Sequence, residues 1–193
     1  MDTDGFADAI REDNRTALSR LGSSKALYAL TEGEMEPAAV ERAVATLATG
    51  ASDQFGAWGG ELFSEAARAA TEHREAVAPD AEPADAFALT DALGEPETAA
   101  ERLGAFVGWT LVAETLTDQC TGFFTGQADP MTASTFREYS GTIEALRERA
   151  LDRLANVDDR DAAAAAATAV VQAAYDEYVE TLEALGVNPK PVC

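Results

Sequence analysis

The run PETAAERLGAFVGWTLVAETLTDQCTGFF, residues 96–124, decides how this chain folds. Pro96 stands where a helix opens, and Leu103, Phe106, Val107, Thr110, Leu111 and Glu114 then recur on one side at helical spacing. The spacing predicts a helix over 97–124, the longest and most apolar of the chain, loosened at its end by Gly122 and Gly126. Glu114 is out of place among Leu111, Val112 and Leu116, which makes it a candidate functional residue.

Outward from that helix the punctuation is of one kind. Asp129-Pro130 pairs a cap with a first-turn proline and opens a helix over about 131–156 that carries Phe136, Tyr139, Ile143 and Leu146. Asp161 is the expected cap of a last helix over 162–185, ended by Gly186 and Pro189; its six-alanine run reads as high-propensity helix. Upstream, Pro37 opens a helix with Val40, Val44 and Leu47 on one side. Gly50 and Ser52 are places for a bend in it, and Gly59-Gly60 separate it from a helix over 62–77. Residues 78–95 form an acidic connection with a short helix around 84–93. A first helical stretch covers 3–30, broken near Gly22-Ser23-Ser24. No segment alternates as a strand does.

The fold expected is therefore an all-α, up-down helical bundle in a single domain. It has an N-terminal helical segment (1–32), the bundle itself (37–185) and a proline-stiffened tail (186–193) that packs along the bundle or across a dimer interface. Alanine dominates and only 7% of residues are aromatic, so closely approaching helices supply the core. Trp58, Trp109, Phe106, Phe123, Phe124, Tyr175 and Tyr178 read as packing residues. The segment Gln119–Gln127, rich in glycine and threonine, lets another helix or a ligand come close.

Composition excludes several function classes. The chain has 35 Asp+Glu against 14 Lys+Arg, a net charge of −21, and Lys25 and Lys190 are its only lysines. Such a balance suits a salt-rich solvent, where screening removes self-repulsion. It disfavours nucleic acid, because the densest cations, Arg147, Arg149 and Arg153, alternate with Glu144, Glu148 and Asp152 and read as an ion-paired exposed face. No apolar run of about 18 residues is present, so no membrane span is expected. The opening Met1-Asp2-Thr3-Asp4 lacks the regions of a signal peptide, and a cytoplasmic location is expected. Cys120 and Cys193 then read as free thiols, with a disulfide between them the alternative.

His73 is the only histidine, so any triad would have to use it and no multi-histidine metal site is possible in one chain. It reads as a solvated or ion-paired residue, its pKa raised if Glu72 and Glu75 lie close. A di-metal carboxylate site in a bundle takes a Glu from two helices and Glu-x-x-His from two more. Here the residue three before His73 is Ala70, and the last helix offers Glu177 and Glu180 with no histidine. Glu114, His73 and Glu177 are the residues of a reduced iron or manganese site, the alternative to a chain without a cofactor.

Three stretches resemble a haloarchaeal, ferritin-like, rubrerythrin-related family: 11–25 (REDNRTALSRLGSSK), 122–130 (GFFTGQADP) and 173–193 (AAYDEYVETLEALGVNPKPVC), with Ala70-Thr71-Glu72-His73 and Glu114 carrying the rubrerythrin likeness. That resemblance implies a ferritin-like bundle. Rubrerythrin-like proteins use a di-iron centre for peroxide or oxygen chemistry, often beside a domain of paired CxxC motifs, and this sequence has no CxxC. Some relatives carry a transcription-antitermination label. The function expected is a non-catalytic, halophilic binding or assembly module, a homodimer, with no nucleic-acid or membrane partner. The alternatives are a degenerate metal-dependent oxidoreductase and a chaperone-like adaptor with an apolar groove.

Overall fold

The computed structural model describes residues 3–189, and over these the chain is all-α, with nine helices and no strand. Helices α1 (Thr3–Asp13), α2 (Arg15–Leu21) and α3 (Ser24–Leu30) replace the single stretch expected at the start. The break after Leu21 falls at Gly22-Ser23, where the sequence places it. The other lies at Asn14, whose buried amide is turned toward the last helix. Its Nδ2 donates to the Ile10 carbonyl (3.0 Å) and to Thr168 Oγ1 (3.2 Å), and its Oδ1 accepts from Gln172 Nε2 (2.7 Å). A buried amide satisfied in this way is cheap, whereas an open one costs about 1–3 kcal/mol.

Helix α4 (Pro37–Trp58) continues through Gly50, and the left-handed Gly59 (φ 68°) ends it before α5 (Gly60–Val77). The short α6 (Ala88–Ala92) interrupts the acidic connection. Helix α7 (Ala99–Gly126) opens on a reciprocal cap: Thr98 Oγ1 accepts from the Glu101 N–H, and the Glu101 carboxylate accepts from the Thr98 N–H. Asp129 caps α8 (Pro130–Leu154) by accepting from the Thr132 N–H. For α9 (Arg160–Ala184) the cap is Asp159 rather than Asp161. The Asp159 carboxylate reaches the free Ala162 N–H, while Asp161 is already inside the first turn.

Helix α7 is buried on nearly every side, not along one face as its periodicity suggested, because α8 and α9 both lie along it. The α7–α9 approach depends on two glycines. A Cβ at Gly104 would sit 1.9 Å from the Ala163 carbonyl oxygen, and one at Gly108 would sit 2.4 Å from that of Ala167. The alanine run of α9 is thus the contact surface of this approach as well as good helix. Helix α4 stands further from α7, and rings fill the gap: Phe55 lies edge-on to Phe106 (5.0 Å) and to Trp109 (4.9 Å).

The arginines of α8 are not an in-helix ladder. Arg147 is buried and donates to Glu114 on α7 (2.7 Å), while Arg149 and Arg153 reach Glu65 and Glu61 on the antiparallel α5. Charges that looked solvated in sequence are cross-links between helices. The tail follows the bundle as far as it is described. Val187 packs on the core, and the Pro189 and Asn188 carbonyls accept from Arg20 (2.6 Å) and Lys25 (2.8 Å). The rest of the tail, with Cys193, lies outside the described residues.

Candidate functional site

The buried positions of α5 are Leu62, Phe63, Ala66, Ala70, His73 and Val77, one stripe at helical spacing with an imidazole in it. His73 is 6% exposed. One ring face stacks on Tyr139 of α8 (centroids 3.9 Å apart, planes 6° apart), and Phe136 lies edge-on at 4.9 Å. Neither ring nitrogen has a hydrogen-bond partner. Among the described residues, the only buried side-chain nitrogens or oxygens in that condition belong to His73 and to Arg74 Nε. The contrast with the satisfied Asn14 amide is sharp, and an orphaned buried polar group of this kind calls for a partner.

The imidazole borders a chamber of about 50 Å³ whose walls come from six helices, including Leu47, Leu89, Trp109, Thr117 and Cys120. No Asp, Glu, Lys or Arg lines it. Leu30, Leu47, Leu89 and Leu116 also wall a second chamber of about 40 Å³, which ends at Glu177, Tyr178 and Thr181. The two spaces are neighbours separated by leucine side chains.

Burial sets the protonation states. It pushes the His73 pKa down to about 4, so the ring is neutral at ordinary pH, the reverse of the shift expected had Glu72 and Glu75 been its neighbours. Burial likewise pushes the free Cys120 thiol up to about 12 and raises the Tyr139 phenol. A protonated thiol is no nucleophile. The chamber is therefore bounded by uncharged groups alone, among them the His73 imidazole, the Thr117 side chain and the Cys120 thiol, within apolar and aromatic walls.

The three residues singled out for a metal do not meet. Glu114 lies on the opposite face of α7, in a groove with Arg11, Arg15 and Asp118, where its carboxylate accepts from Arg147 and stands 3.8 Å from Arg11. Glu177 borders the second chamber and accepts from the Ala88 N–H (3.1 Å). Its carboxyl pKa is raised, first by burial and then by Asp91 and Glu180, with the Ala88 N–H opposing. No group of three or more His, Cys, Asp or Glu among the described residues is placed to hold a metal ion. A di-metal centre needs bridging carboxylates beside its imidazole; here one carboxylate is held by arginine, the other by backbone, and His73 sits in an apolar shell. The donor set does not fit iron or manganese.

Sequence reasoning missed the burial of His73 and the pairing of Glu114. The first had a signal, since Ala66, Ala70, His73 and Val77 recur on one stripe. The second had none, because Arg147 is 33 residues away. Fold and site define an all-helical protein with an internal apolar chamber and no assembled acid–base or metal set among the described residues. Comparison with protein-family models, with curated proteins and with solved structures finds no match for this chain.

Proposed function

We propose that this chain is a non-catalytic, salt-adapted binding module that holds a small molecule inside its helical bundle. The observation that carries the reading is the apolar chamber walled by six helices, with the buried and unpaired His73 in its wall. A neutral imidazole without a carboxylate or nucleophilic partner suits recognition better than proton transfer. The high acidic charge supports adaptation to salt. On this reading the bundle is ferritin-like and rubrerythrin-related, with the metal-bearing interior of that family exchanged for an apolar one. A homodimer is part of the proposal, and sedimentation in molar salt measures it.

Xenon tests the binding reading, because it enters dry apolar cavities without needing a polar group. Methyl NMR under xenon pressure should show saturable shifts at Leu47, Leu89 and Leu116. Shifts that are absent, or that rise linearly over the whole surface, would contradict an interior site.

A further inference from the structure

The second chamber carries a charge that the His73 chamber lacks. Building on the binding reading above, we propose that this second chamber takes a short primary alkylammonium ion, its ammonium on the Glu177 carboxylate and its alkyl tail among Leu30, Leu47, Leu89 and Leu116.

Three observations select this class. The first is charge. Among the described residues Glu177 is the only Asp, Glu, Lys or Arg lining the chamber, and no cation pairs with it. Burial, and after it the charges of Asp91 and Glu180, disfavour its ionised form, so a cation there is held and an anion is repelled. The second is access. The Ala88 N–H occupies Oε2 and leaves Oε1 without a hydrogen bond. Glu177 is half-buried, and the buried unpaired side-chain atoms belong to His73 and Arg74 alone, so Oε1 is open to water. Thr181 lines the same chamber one turn further along α9, and its hydroxyl is open by the same reasoning. Thr31, Thr46 and Thr117 each donate to the carbonyl four residues back; Thr181 does not. Two open acceptors four residues apart suit a primary ammonium, which has three N–H donors, whereas a quaternary ammonium has none. The third is size. A space of about 40 Å³ has room for roughly three water-sized groups. That admits a tail of about three carbons and excludes a long acyl chain.

The walls agree with this assignment. Beyond the two acceptors they are aliphatic, with Val112 and Ala174 beside the shared leucines, and bury a methylene chain favourably. The Ala88 N–H holds the Glu177 carboxylate in place before a ligand arrives, which lowers the ordering cost of binding. Weak affinity follows from so few atoms, with Kd of about a millimolar.

The test uses the full chain, methyl-labelled, in molar potassium chloride, with propylammonium chloride as probe. Methylammonium, which lacks the tail, and 1-propanol, which lacks the charge, are the comparisons. Potassium competes at any site that only attracts cations, so saturable binding in this solvent requires the tail as well. Propylammonium should shift the Val112, Leu116 and Ala174 methyls saturably, and bind about tenfold more tightly than either comparison. Glu177→Gln keeps the shape and removes the charge. It should weaken propylammonium about tenfold and leave propanol nearly unchanged.

Methylammonium or propanol binding the parent as tightly as propylammonium would overturn the assignment, whether or not the variant folds. Undiminished propylammonium binding in Glu177→Gln would do the same. Xenon binding without saturable propylammonium shifts would overturn the alkylammonium assignment and leave the binding reading standing. Failure of both probes would overturn the two together.

Discussion

Replacing Gly104 with alanine puts the α7–α9 packing to the test. The new Cβ would lie 1.9 Å from the Ala163 carbonyl oxygen and 2.6 Å from its Cα, so the obstacle is backbone and no side chain can rotate aside. Restoring ordinary contact needs a separation of more than an ångström between two helices that are packed along their length. Overpacking of this kind costs about 1–3 kcal/mol and sometimes more, and a backbone obstacle places Gly104→Ala at the upper end. Alanine returns roughly 1 kcal/mol of helix propensity, which leaves a net loss of about 2 kcal/mol. Gly108→Ala, at 2.4 Å from the Ala167 oxygen, should lose less. The control is Gly141→Ala in the middle of α8, where a Cβ meets nothing within 4 Å; it should gain about 0.5–1 kcal/mol. Thermal melts in molar salt resolve these differences, since 1 kcal/mol moves the midpoint by about 2–4 °C in a chain of this size. A Gly104→Ala protein as stable as its parent, or shifted in the same direction as Gly141→Ala, would refute the close approach.

Other consequences are as specific. Glu114→Gln leaves the 6%-exposed Arg147 facing a neutral amide and should cost about 2–4 kcal/mol, with much of the loss recovered in Glu114→Gln/Arg147→Met; urea titration in high salt measures both. The folded pKa of His73, about 4, lies below its ordinary 6.5, so the unfolded chain binds the extra proton. Stability from this group is complete above pH 6.5 and is lost as pH falls toward 4, by about 2 kcal/mol at pH 5. His73→Phe should remove that component of the pH profile, and an unchanged profile would argue against burial. Cys120, buried and with its thiol pushed up to about 12, should react with a thiol reagent only at the rate of local opening, so a fast native-state reaction would contradict the packing. Lowering salt from molar to millimolar should lower the melting temperature, because 35 acidic residues then repel one another; an unchanged midpoint would count against salt adaptation.

Much of the architecture was legible because its signals are local. Pro37, Gly59-Gly60 and Asp129-Pro130 each act on the backbone within a turn, and each marks a boundary in the structure. The break at Asn14 was not, since it depends on an amide satisfied by Thr168 and Gln172 from across the fold. The same holds for Gly104 and Gly108, whose role appears only once Ala163 and Ala167 are laid against them. His73 fell between these cases. Its neighbours Glu72, Arg74 and Glu75 suggest water, yet its position on the Ala66–Ala70–Val77 stripe assigns it to the interior. Periodicity outweighs immediate neighbours because a helix side chain shares its surroundings with positions three and four away. Glu114 illustrates the converse. It sits in an apolar run, but the groove it borders carries Arg11, and Arg147 reaches its carboxylate from α8.

Binding inside the bundle depends on what enters the chamber beside His73, and a high-resolution crystal structure of protein grown from molar salt and pressurised with xenon measures that directly. Interior binding predicts a xenon site bordered by Leu47, Leu89 and Trp109. A chamber closed by its leucines, with no xenon in it, would contradict it.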